Sequence, residues 1–351
     1  MKINNDQAVP SRLKKLAFDY KRGRGHFFSY LMNRFRWHYY PRLQHVSKFP
    51  DHVDIEISAI CNMKCPMCYT TTDEYMNTMK KGLMEFKLFK KIIDECADHR
   101  AYSIRLSLRG EPFLHKDIIE MIRYAKKKGI KEVSTLANNL VLDPKLFKEA
   151  MEAGLDWLTI SFDGLGKMYE WIRQPAKFAE SYEKIKEYKR IKDAARSVKP
   201  IIKVQTVWPA IKDNAKEYFD AFESYVDNIA INTLVDYLHK DTDIVYVKDF
   251  VCPVLYQRLV IGFDGIVMLC TNDEFCTTPV GDVNTESVYD IWHGQKMTDA
   301  RKAHKEHKGV ELLTPCKHCY MPRKTEPVTE FIGDSRINID KYINRPDEVG
   351  E

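Results

Sequence analysis

The sequence predicts an α/β protein with parallel strands, followed by a smaller α+β domain. Three observations support this prediction. Short β-rich segments alternate with amphipathic helical segments from residue 51 to residue 245, a β-hairpin and a single helix replace that pattern from residue 246, and five of the nine cysteines follow the change. Strand–helix alternation indicates parallel strands joined by right-handed crossovers. Six such units form either a partial or complete β/α barrel or an open doubly wound sheet.

The first domain, residues 51–245, contains six predicted strands and five predicted helices. The strands are Val53–Ser58, Ser103–Leu108, Glu132–Leu136, Trp157–Ser161, Ile201–Val207 and Asn228–Leu234. The helical patterns lie near residues 85–99, 116–128, 144–153, 177–195 and 212–225. No strand is followed by a Rossmann GxGxxG motif or a Walker loop, so nucleotide binding of those two kinds has no support.

The second domain, residues 246–330, contains a predicted hairpin. Its strands are Gln257–Phe263 and Ile266–Cys270, joined by the two-residue turn Asp264-Gly265. One helix is expected over roughly residues 286–304, and the charged run that begins at His304 is expected to be a solvated helix end. Residues 331–351 are polar and are predicted to form a loose tail.

The composition excludes several classes of protein. The 351 residues are 44% hydrophobic and 30% charged, with 15 Gly and 15 Pro, which excludes a collagen-like or wholly disordered chain. No apolar run approaches ~20 residues, and the N-terminus lacks the apolar segment of a signal peptide. We therefore expect a cytoplasmic protein, in which nine cysteines favour metal binding or reactivity over disulfides.

The positive charge is concentrated at the N-terminus. Residues 1–50 carry a net charge of +9 and the remaining residues −4, so the main body lacks the charge of a nucleic-acid-binding domain. Residues 1–50 are predicted to be a basic helical extension. The basic and aromatic residues 11–43 suit three interpretations. We favour packing on the outside or bottom of the barrel or against a partner; the others are peripheral contact with an anionic membrane and RNA binding.

Three cysteines directly after the first strand form the strongest motif. Cys61, Cys65 and Cys68 lie within eight residues, on the loop at the carboxyl end of that strand, where β/α folds place their active sites. Zinc in a closed structural site takes four ligands, usually from two CxxC pairs, so a CxxxCxxC motif fits zinc poorly. Three thiolates fit a [4Fe–4S] cluster with one iron open to a small molecule.

With these cysteines the chain resembles the radical S-adenosylmethionine (SAM) superfamily over residues 50–330. Later motifs extend the resemblance: Arg109-Gly110-Glu111-Pro112 resembles the family's Gly-Gly-Glu, Ala137-Asn138-Asn139 its Thr-Asn-Gly, and Ser161-Phe-Asp163-Gly164 with Tyr169 and Arg173 its Ser-x-Asp-Gly region. The resemblance implies a partial (β/α)6 barrel in which the three cysteines hold a [4Fe–4S] cluster. It also implies that Gly110, Glu111 and Asn138 contact SAM. Ser161 would meet the SAM ribose, and Arg173 its carboxylate.

A second set of cysteines resembles the shortened SPASM, or twitch, domain that follows many radical SAM barrels. Cys252, Cys270, Cys316 and Cys319 supply four thiolates, which the resemblance assigns to one auxiliary [4Fe–4S] cluster. A structural Zn(Cys)4 site is the alternative, because spacing alone does not separate the two. Cys276 is a fifth thiol, with three open roles: bystander, alternative ligand, or hydrogen-atom donor to a substrate radical.

The resemblance implies reductive cleavage of SAM to a 5′-deoxyadenosyl radical, which abstracts hydrogen from a substrate C–H bond. A reductant such as flavodoxin or ferredoxin would supply the electron. Twitch-bearing relatives favour dehydrogenation or epimerisation of a sugar-like or aminocyclitol molecule. Two alternatives stay open: a radical SAM enzyme that modifies a peptide or protein, and a non-catalytic zinc or iron–sulfur protein.

Overall fold

The computed structural model describes residues 12–238, 240–332, 335–345 and 348–349. Six parallel strands form the centre: β1 (His52–Ile55), β2 (Ser103–Arg105), β3 (Glu132–Ala137), β4 (Trp157–Ser161), β5 (Ile201–Val207) and β6 (Asn228–Asn232). Each pairs in parallel with the next in chain order, as short connections between consecutive strands favour. The prediction of an α/β core is therefore confirmed.

Helices precede, separate and follow these strands. They are α1 (Arg12–Gly23), α2 (Phe27–Leu43), α3 (Asp73–Thr78), α4 (Phe86–Asp98), α5 (Ile118–Lys127), α6 (Pro144–Ala153), α7 (Gly166–Ile172), α8 (Phe178–Ala194), α9 (Ala215–Phe222), α10 (Val254–Gln257), α11 (Val288–His293), α12 (Gln295–Lys305) and α13 (Gly309–Leu312). Helix α6 shows why the sequence forms them. The Asp143 carboxylate caps its N-terminus by accepting from Leu146 N at 2.7 Å, and Gly154 ends it at φ 99°.

The two faces of the sheet differ in chemistry. On β5, Ile202 and Val204 are buried in the apolar core, whereas Lys203 and Gln205 line a cavity on the other face. The predicted strands that run on to Ser58, Leu108 and Leu234 end their pairing earlier in the structure. The residues beyond β2 and β6 line the mouth of that cavity instead. A polar inner face is a site for a polar ligand rather than a packed core.

The sheet continues across the predicted domain boundary. Strand β7 (Arg258–Ile261) pairs in parallel with β1, and β8 (Ile266–Met268) and β9 (Pro279–Asp282) follow in antiparallel order. The result is one nine-stranded sheet with β6 and β9 at its edges. The predicted hairpin is confirmed, with Gly265 at φ 92° in its turn. The predicted helix over 286–304 is wrong as a single element, because extended backbone at Gly294 separates α11 from α12.

The prediction of a loose tail from residue 331 is also wrong. Strands β10 (Thr325–Ile332) and β11 (Ser335–Tyr342) form an antiparallel hairpin. Ile337 and Ile339, two positions apart, are both buried, because alternate residues of a strand share a face. Tyr342 of this hairpin reaches the cavity. The polar composition of the whole segment hides this short alternation.

The N-terminal helices lie at the opposite end of the sheet from the cysteine loop. Arg22 of α1 donates from Nε to Glu132 at the start of β3 at 2.7 Å, and Phe18 packs edge-on against Trp157 at the start of β4. The carbonyl of Trp37 in α2 accepts from Gln257 Nε2 at 2.8 Å. Helices α1 and α2 therefore pack against the bottom of the barrel, as the first of the three interpretations of residues 11–43 expects. Within the described part of the chain, no helix has the length and apolar character to span a membrane.

Candidate iron–sulfur and SAM site

A cavity of about 630 Å³ opens at the carboxyl ends of the strands. Eight residues singled out from the sequence line it together: Cys61, Cys65, Cys68, Gly110, Glu111, Asn138, Ser161 and Arg173. They come from the loop after β1, from the ends of β2, β3 and β4, and from the helix after β4. Parallel strands bring these segments to one edge of the sheet, which is why residues far apart in sequence meet here.

Each sulfur of the three-cysteine loop, residues 61–68, has a polar neighbour. Asn138 Nδ2 lies 3.8 Å from Cys61 Sγ, and Arg173 Nη1 lies 3.7 Å from Cys65 Sγ. Thr70 Oγ1 lies 3.0 Å from Cys68 Sγ. Hydrogen-bond donors directed at sulfur suit thiolates that carry negative charge. In the chain alone, burial raises the pKa of all three thiols, an effect that a bound cation reverses.

The donor set fits a cluster better than a single ion. Among the described residues, no three His, Cys, Asp or Glu side chains lie close enough to hold one metal ion. Three cysteine thiols that line one cavity suit iron–sulfur ligation, in which thiolates hold the cluster. The loop also supplies one ligand too few for a closed zinc site.

Glu111 is a buried carboxyl group in the cavity wall, 2% exposed. Its Oε1 accepts from Phe113 N at 3.0 Å and its Oε2 from Asn138 N at 2.6 Å. Burial raises the pKa of this carboxyl to about 7, so a cationic ligand beside it would recover a large electrostatic gain. Of the two adjacent asparagines, it is Asn139 that adopts the left-handed turn conformation, with φ 68°.

Gly110 is required by close backbone contact rather than by its dihedral angles. A Cβ atom there would lie 2.5 Å from the carbonyl oxygens of both Ser58 and Ile60. Ile60 immediately precedes Cys61, and its carbonyl accepts from Glu111 N at 2.8 Å. Any side chain at Gly110 would therefore displace the three-cysteine loop.

Arg173 is held beside the cysteines by a buried acid. It forms an ion pair with Asp163, whose Oδ1 accepts from Val207 N at 2.8 Å. The buried Nε of Arg173 has no hydrogen-bond partner among the described residues. Ser161 Oγ accepts from Gln205 Nε2 at 3.4 Å. One guanidinium group therefore contacts Cys65 and keeps a donor for a further ligand.

Arg109, which stands where the resembled motif has a glycine, has a structural role of its own. It pairs with the fully buried Glu56 of the segment after β1, and Nε donates to Oε1 at 2.6 Å. Its Nη1 donates to the carbonyl of Glu274 at 3.3 Å. Arg109 thus ties the barrel to the loop that follows β8. No sequence pattern signals this contact, because its partners lie 53 and 165 residues away.

Four of the six remaining cysteines form a buried cage, defined by Cys252, Cys270, Cys316 and Cys319. They are 7–9% exposed and line a second cavity of about 20 Å³. Asn272 donates from its backbone to Cys270 Sγ at 3.4 Å and from Nδ2 to Cys319 Sγ at 3.3 Å. Asn272 also lines the large cavity, so it forms part of the wall between the two sites.

His304 is expected from sequence at a solvated helix end, and that prediction is wrong. It is 1% exposed, its Nε2 lies 3.5 Å from Cys316 Sγ, and burial lowers its pKa. Helical periodicity explains the error: Ala300 and His304 of α12 lie on the same inward face, whereas Lys305 points outward. Arg301, also buried, caps this face by donating to the carbonyls of Leu255 and Trp292.

Cys276 lines neither cavity. It is half-buried in a turn at φ 50°, where its backbone N–H donates to Asp273 O at 2.9 Å. Burial raises the pKa of its thiol to about 11. This placement gives no support to an alternative ligand or a hydrogen donor.

A parallel sheet with three cysteines at the end of its first strand is the architecture of a SAM-cleaving iron–sulfur barrel. Comparison with family models agrees: residues 55–206 match the radical SAM superfamily, and residues 252–320 match the SPASM iron–sulfur cluster-binding domain. The chain therefore belongs to the radical SAM superfamily and has a SPASM domain after its barrel. Its cofactors are a [4Fe–4S] cluster with SAM and an auxiliary iron–sulfur cluster.

The relatives that the chain matches differ in their reactions. The chain is 27% identical over 260 residues to the tungsten-containing aldehyde ferredoxin oxidoreductase cofactor-modifying protein of Pyrococcus furiosus, a match that covers 71% of both chains. It is 32% identical over 111 residues to a probable GTP 3′,8-cyclase of Methanococcus maripaludis, covering 32% of this chain and 36% of that protein. With that cyclase, the chain shares about a third of its length.

Two solved structures share the fold. BtrN in complex with AdoMet and 2-DOIA superposes with a TM-score of 0.57 at 17% identity, covering 78% of this chain and 94% of that one. Streptococcus suis SuiB bound to S-adenosylmethionine gives a TM-score of 0.57 at 13% identity, covering 88% and 83%. At these identities the likeness concerns fold alone.

Proposed function

We propose that this radical SAM enzyme is an oxidoreductase or epimerase that removes hydrogen from a C–H bond of a small sugar-like or aminocyclitol molecule. The observation that carries the proposal is the convergence of the three-cysteine loop, Glu111 and Arg173 at the mouth of a cavity of about 630 Å³. The cluster and SAM would occupy part of that volume, so the space left suits a small substrate. Polar side chains on the inner face of the sheet suit a hydroxyl-rich substrate.

When bound, the cluster and SAM supply a 5′-deoxyadenosyl radical for hydrogen abstraction. Cys61, Cys65 and Cys68 hold the cluster. Glu111 pairs with the SAM ammonium group, a role that its buried carboxylate favours. Asn138, Ser161 and the free Nε of Arg173 bind the remaining polar groups of SAM, and Gly110 lets the loop backbone approach the ligand.

The four-cysteine cage supports dehydrogenation in particular. Four buried thiolates hold one cluster with every iron ligated by protein, so the cluster serves in electron transfer rather than substrate binding. Asn272 lines both cavities, so only a thin wall separates the cage from the large cavity. An electron left on the substrate after hydrogen abstraction would have a short path to the cage.

Peptide modification is the second candidate. Streptococcus suis SuiB has been solved bound to the precursor peptide SuiA, whereas BtrN has been solved in complex with 2-DOIA. The hairpin β10–β11 favours the small-molecule proposal, because Tyr342 of that hairpin lines the cavity together with Tyr237 and Tyr320 and takes up space that a peptide would need. An extended peptide would need a longer groove.

We infer that the protein works in the cytoplasm with a flavodoxin or ferredoxin reductant.

We also infer that helix α2, which packs on the barrel through one face, touches an anionic membrane surface with its exposed face. Phe28, Leu31, Met32, Phe35 and Tyr39 form an exposed stripe along α2, with Phe28 88% exposed. Residues 20–50 contain seven Lys or Arg and no Asp or Glu. Exposed aromatic residues beside a basic segment suit anionic headgroups.

Vesicle sedimentation tests the membrane contact. The wild-type chain should sediment with phosphatidylglycerol vesicles and not with phosphatidylcholine vesicles, and the double variant F28E/F35E should stay in the supernatant. F331E, at an exposed phenylalanine of β10, is the matched control. Equal sedimentation of wild type and F28E/F35E would refute the contact.

Anaerobic reconstitution tests the main proposal. We expect about eight irons per chain for two [4Fe–4S] clusters, and 5′-deoxyadenosine after addition of dithionite and SAM. Bound zinc with little iron and no SAM cleavage would overturn the proposal in favour of a structural metal protein. Product analysis with cyclitols and with peptides separates the two substrate classes.

A further inference from the structure

The charges that line the large cavity are strongly unequal. Among the residues that the structure describes, one acidic side chain lines it, Glu111, against five cationic ones: Arg105, Arg109, Arg173, Lys203 and Arg258. Two of the five are neutralised outside the cavity, because Arg109 pairs with Glu56 and Arg173 with Asp163. The remaining cations belong to the inner face of the sheet, on β2, β5 and β7.

Arg105 and Arg258 share a single carboxylate. Asp54 is fully buried, with Oδ1 2.7 Å from Arg105 Nε and Oδ2 3.1 Å from Arg258 Nη1. His52 Nε2 also lies 3.2 Å from Asp54, but burial lowers the pKa of His52, so the imidazole adds no lasting charge. Two guanidinium groups therefore face one acid.

Both arginine side chains keep exposed surface in the cavity. The Arg105 side chain is 30% exposed and that of Arg258 is 18% exposed. Among the described residues, the buried Nε of Arg258 has no hydrogen-bond partner. Arg258 is held in place by Trp37, whose ring centroid lies 4.9 Å from its guanidinium carbon. A fixed guanidinium fork with free N–H groups is the protein's usual means of binding a carboxylate or phosphate.

We propose that Arg105 and Arg258, which we call the arginine pair, bind an anionic group of the substrate, a carboxylate or a phosphate. This inference rests on the proposed function and narrows it. The excess positive charge opposes the ammonium group of an aminocyclitol and favours an acidic or phosphorylated sugar-like molecule. The pair anchors the anionic end deep between β1, β2 and β7, and the rest of the molecule extends toward the three-cysteine loop.

Calorimetry on the reconstituted holoenzyme, saturated with SAM and without reductant, tests the pair. The probes are malonate for a carboxylate and inorganic pyrophosphate for a phosphate, with glycerol as neutral control and 1,3-diaminopropane as cationic control. One or both anions should bind with a stoichiometry of one, and the two controls should not. The anion that binds with the lower Kd indicates whether the anionic group of the substrate is a carboxylate or a phosphate.

Two substitutions should shift the affinity in opposite directions. R105Q removes a charge-assisted donor and should weaken anion binding by about tenfold or more. D54N removes the competing carboxylate and should tighten binding, a result that a merely structural role of Asp54 would not produce. R190Q, at a solvent-exposed ion pair on α8, should leave affinity unchanged. R105K keeps the charge without the fork and should give an intermediate affinity if R105Q fails to fold.

The inference is overturned if R105Q, R105K and D54N bind the anions as wild type does, or if neither anion binds the wild-type holoenzyme. Iron content and SAM cleavage, measured on the same preparations, distinguish failure of the arginine-pair inference from failure of the proposed function. Loss of those two properties in the wild type would refute the enzyme proposal, whereas intact clusters and cleavage with unchanged anion affinity would refute the arginine pair alone.

Discussion

The three-cysteine loop and the four-cysteine cage differ in what surrounds their sulfurs. The loop opens onto a cavity of about 630 Å³, and Cys61 is exposed. The cage surrounds about 20 Å³, and its four cysteines are all buried. An open site with one ligand too few can take a small molecule, whereas a closed site with four ligands cannot. The comparison indicates that access and ligand number together distinguish the site proposed to bind SAM from the site proposed to transfer electrons.

Removing one cysteine from each site should have the largest effect and tests directly whether the two sites differ in role. C65A should lower 5′-deoxyadenosine formation by more than about 100-fold, because the radical chemistry requires the SAM-binding cluster. C319A should leave SAM cleavage within about fivefold of wild type while product formation is lost. Each variant should retain about four irons per chain. If C319A also abolished SAM cleavage, the two sites would not be independent.

Two glycines offer a matched steric test. A Cβ at Gly110 would meet the Ile60 carbonyl at 2.5 Å, and backbone cannot yield cheaply. A Cβ at Gly309 would meet the His304 ring at 2.4 Å, next to Cys316. We expect G110A to impair SAM binding by about tenfold or more and G309A to alter only the auxiliary cluster. Electron paramagnetic resonance with and without SAM distinguishes the two clusters, and a reversed pattern would contradict this assignment.

The pH dependence of SAM binding tests whether Glu111 pairs with the SAM ammonium group. Burial raises the pKa of Glu111 to about 7, so the free protein holds a proton there at lower pH. SAM affinity should therefore rise as pH increases toward 7 and level off above it, because the ammonium group pairs with the carboxylate. E111Q should bind SAM more weakly and without this dependence. A Kd for wild type that is constant from about pH 6 to about pH 8 would refute the pairing.

The smallest effect is expected at Cys276. Because Cys276 lines neither cavity, C276A should keep both clusters, SAM cleavage and product formation within about twofold of wild type. Intact clusters and SAM cleavage with lost product would instead restore the hydrogen-donor role. Loss of half of the iron would identify Cys276 as a ligand.

Much of the open site could be predicted from sequence because its residues follow strand ends in order. Glu111 meets Asn138 since β2 and β3 are neighbours in the parallel sheet. The arginine pair was not predictable in this way. Arg258 reaches Asp54 across 204 residues, because β7 returns to pair with β1. Hydrophobic periodicity gives no signal for polar residues that face inward.

The sequence by itself determined the family, the α/β core and the two groups of thiols, since the short spacing within Cys61–Cys68 and Cys316–Cys319 is local information. Only the tertiary structure decided which site is open, that His304 is buried against the cage and that residues after 331 form a hairpin. It also decided that two arginines share one acid. Burial and charge balance depend on which distant segments pack together, and a linear pattern does not specify that packing.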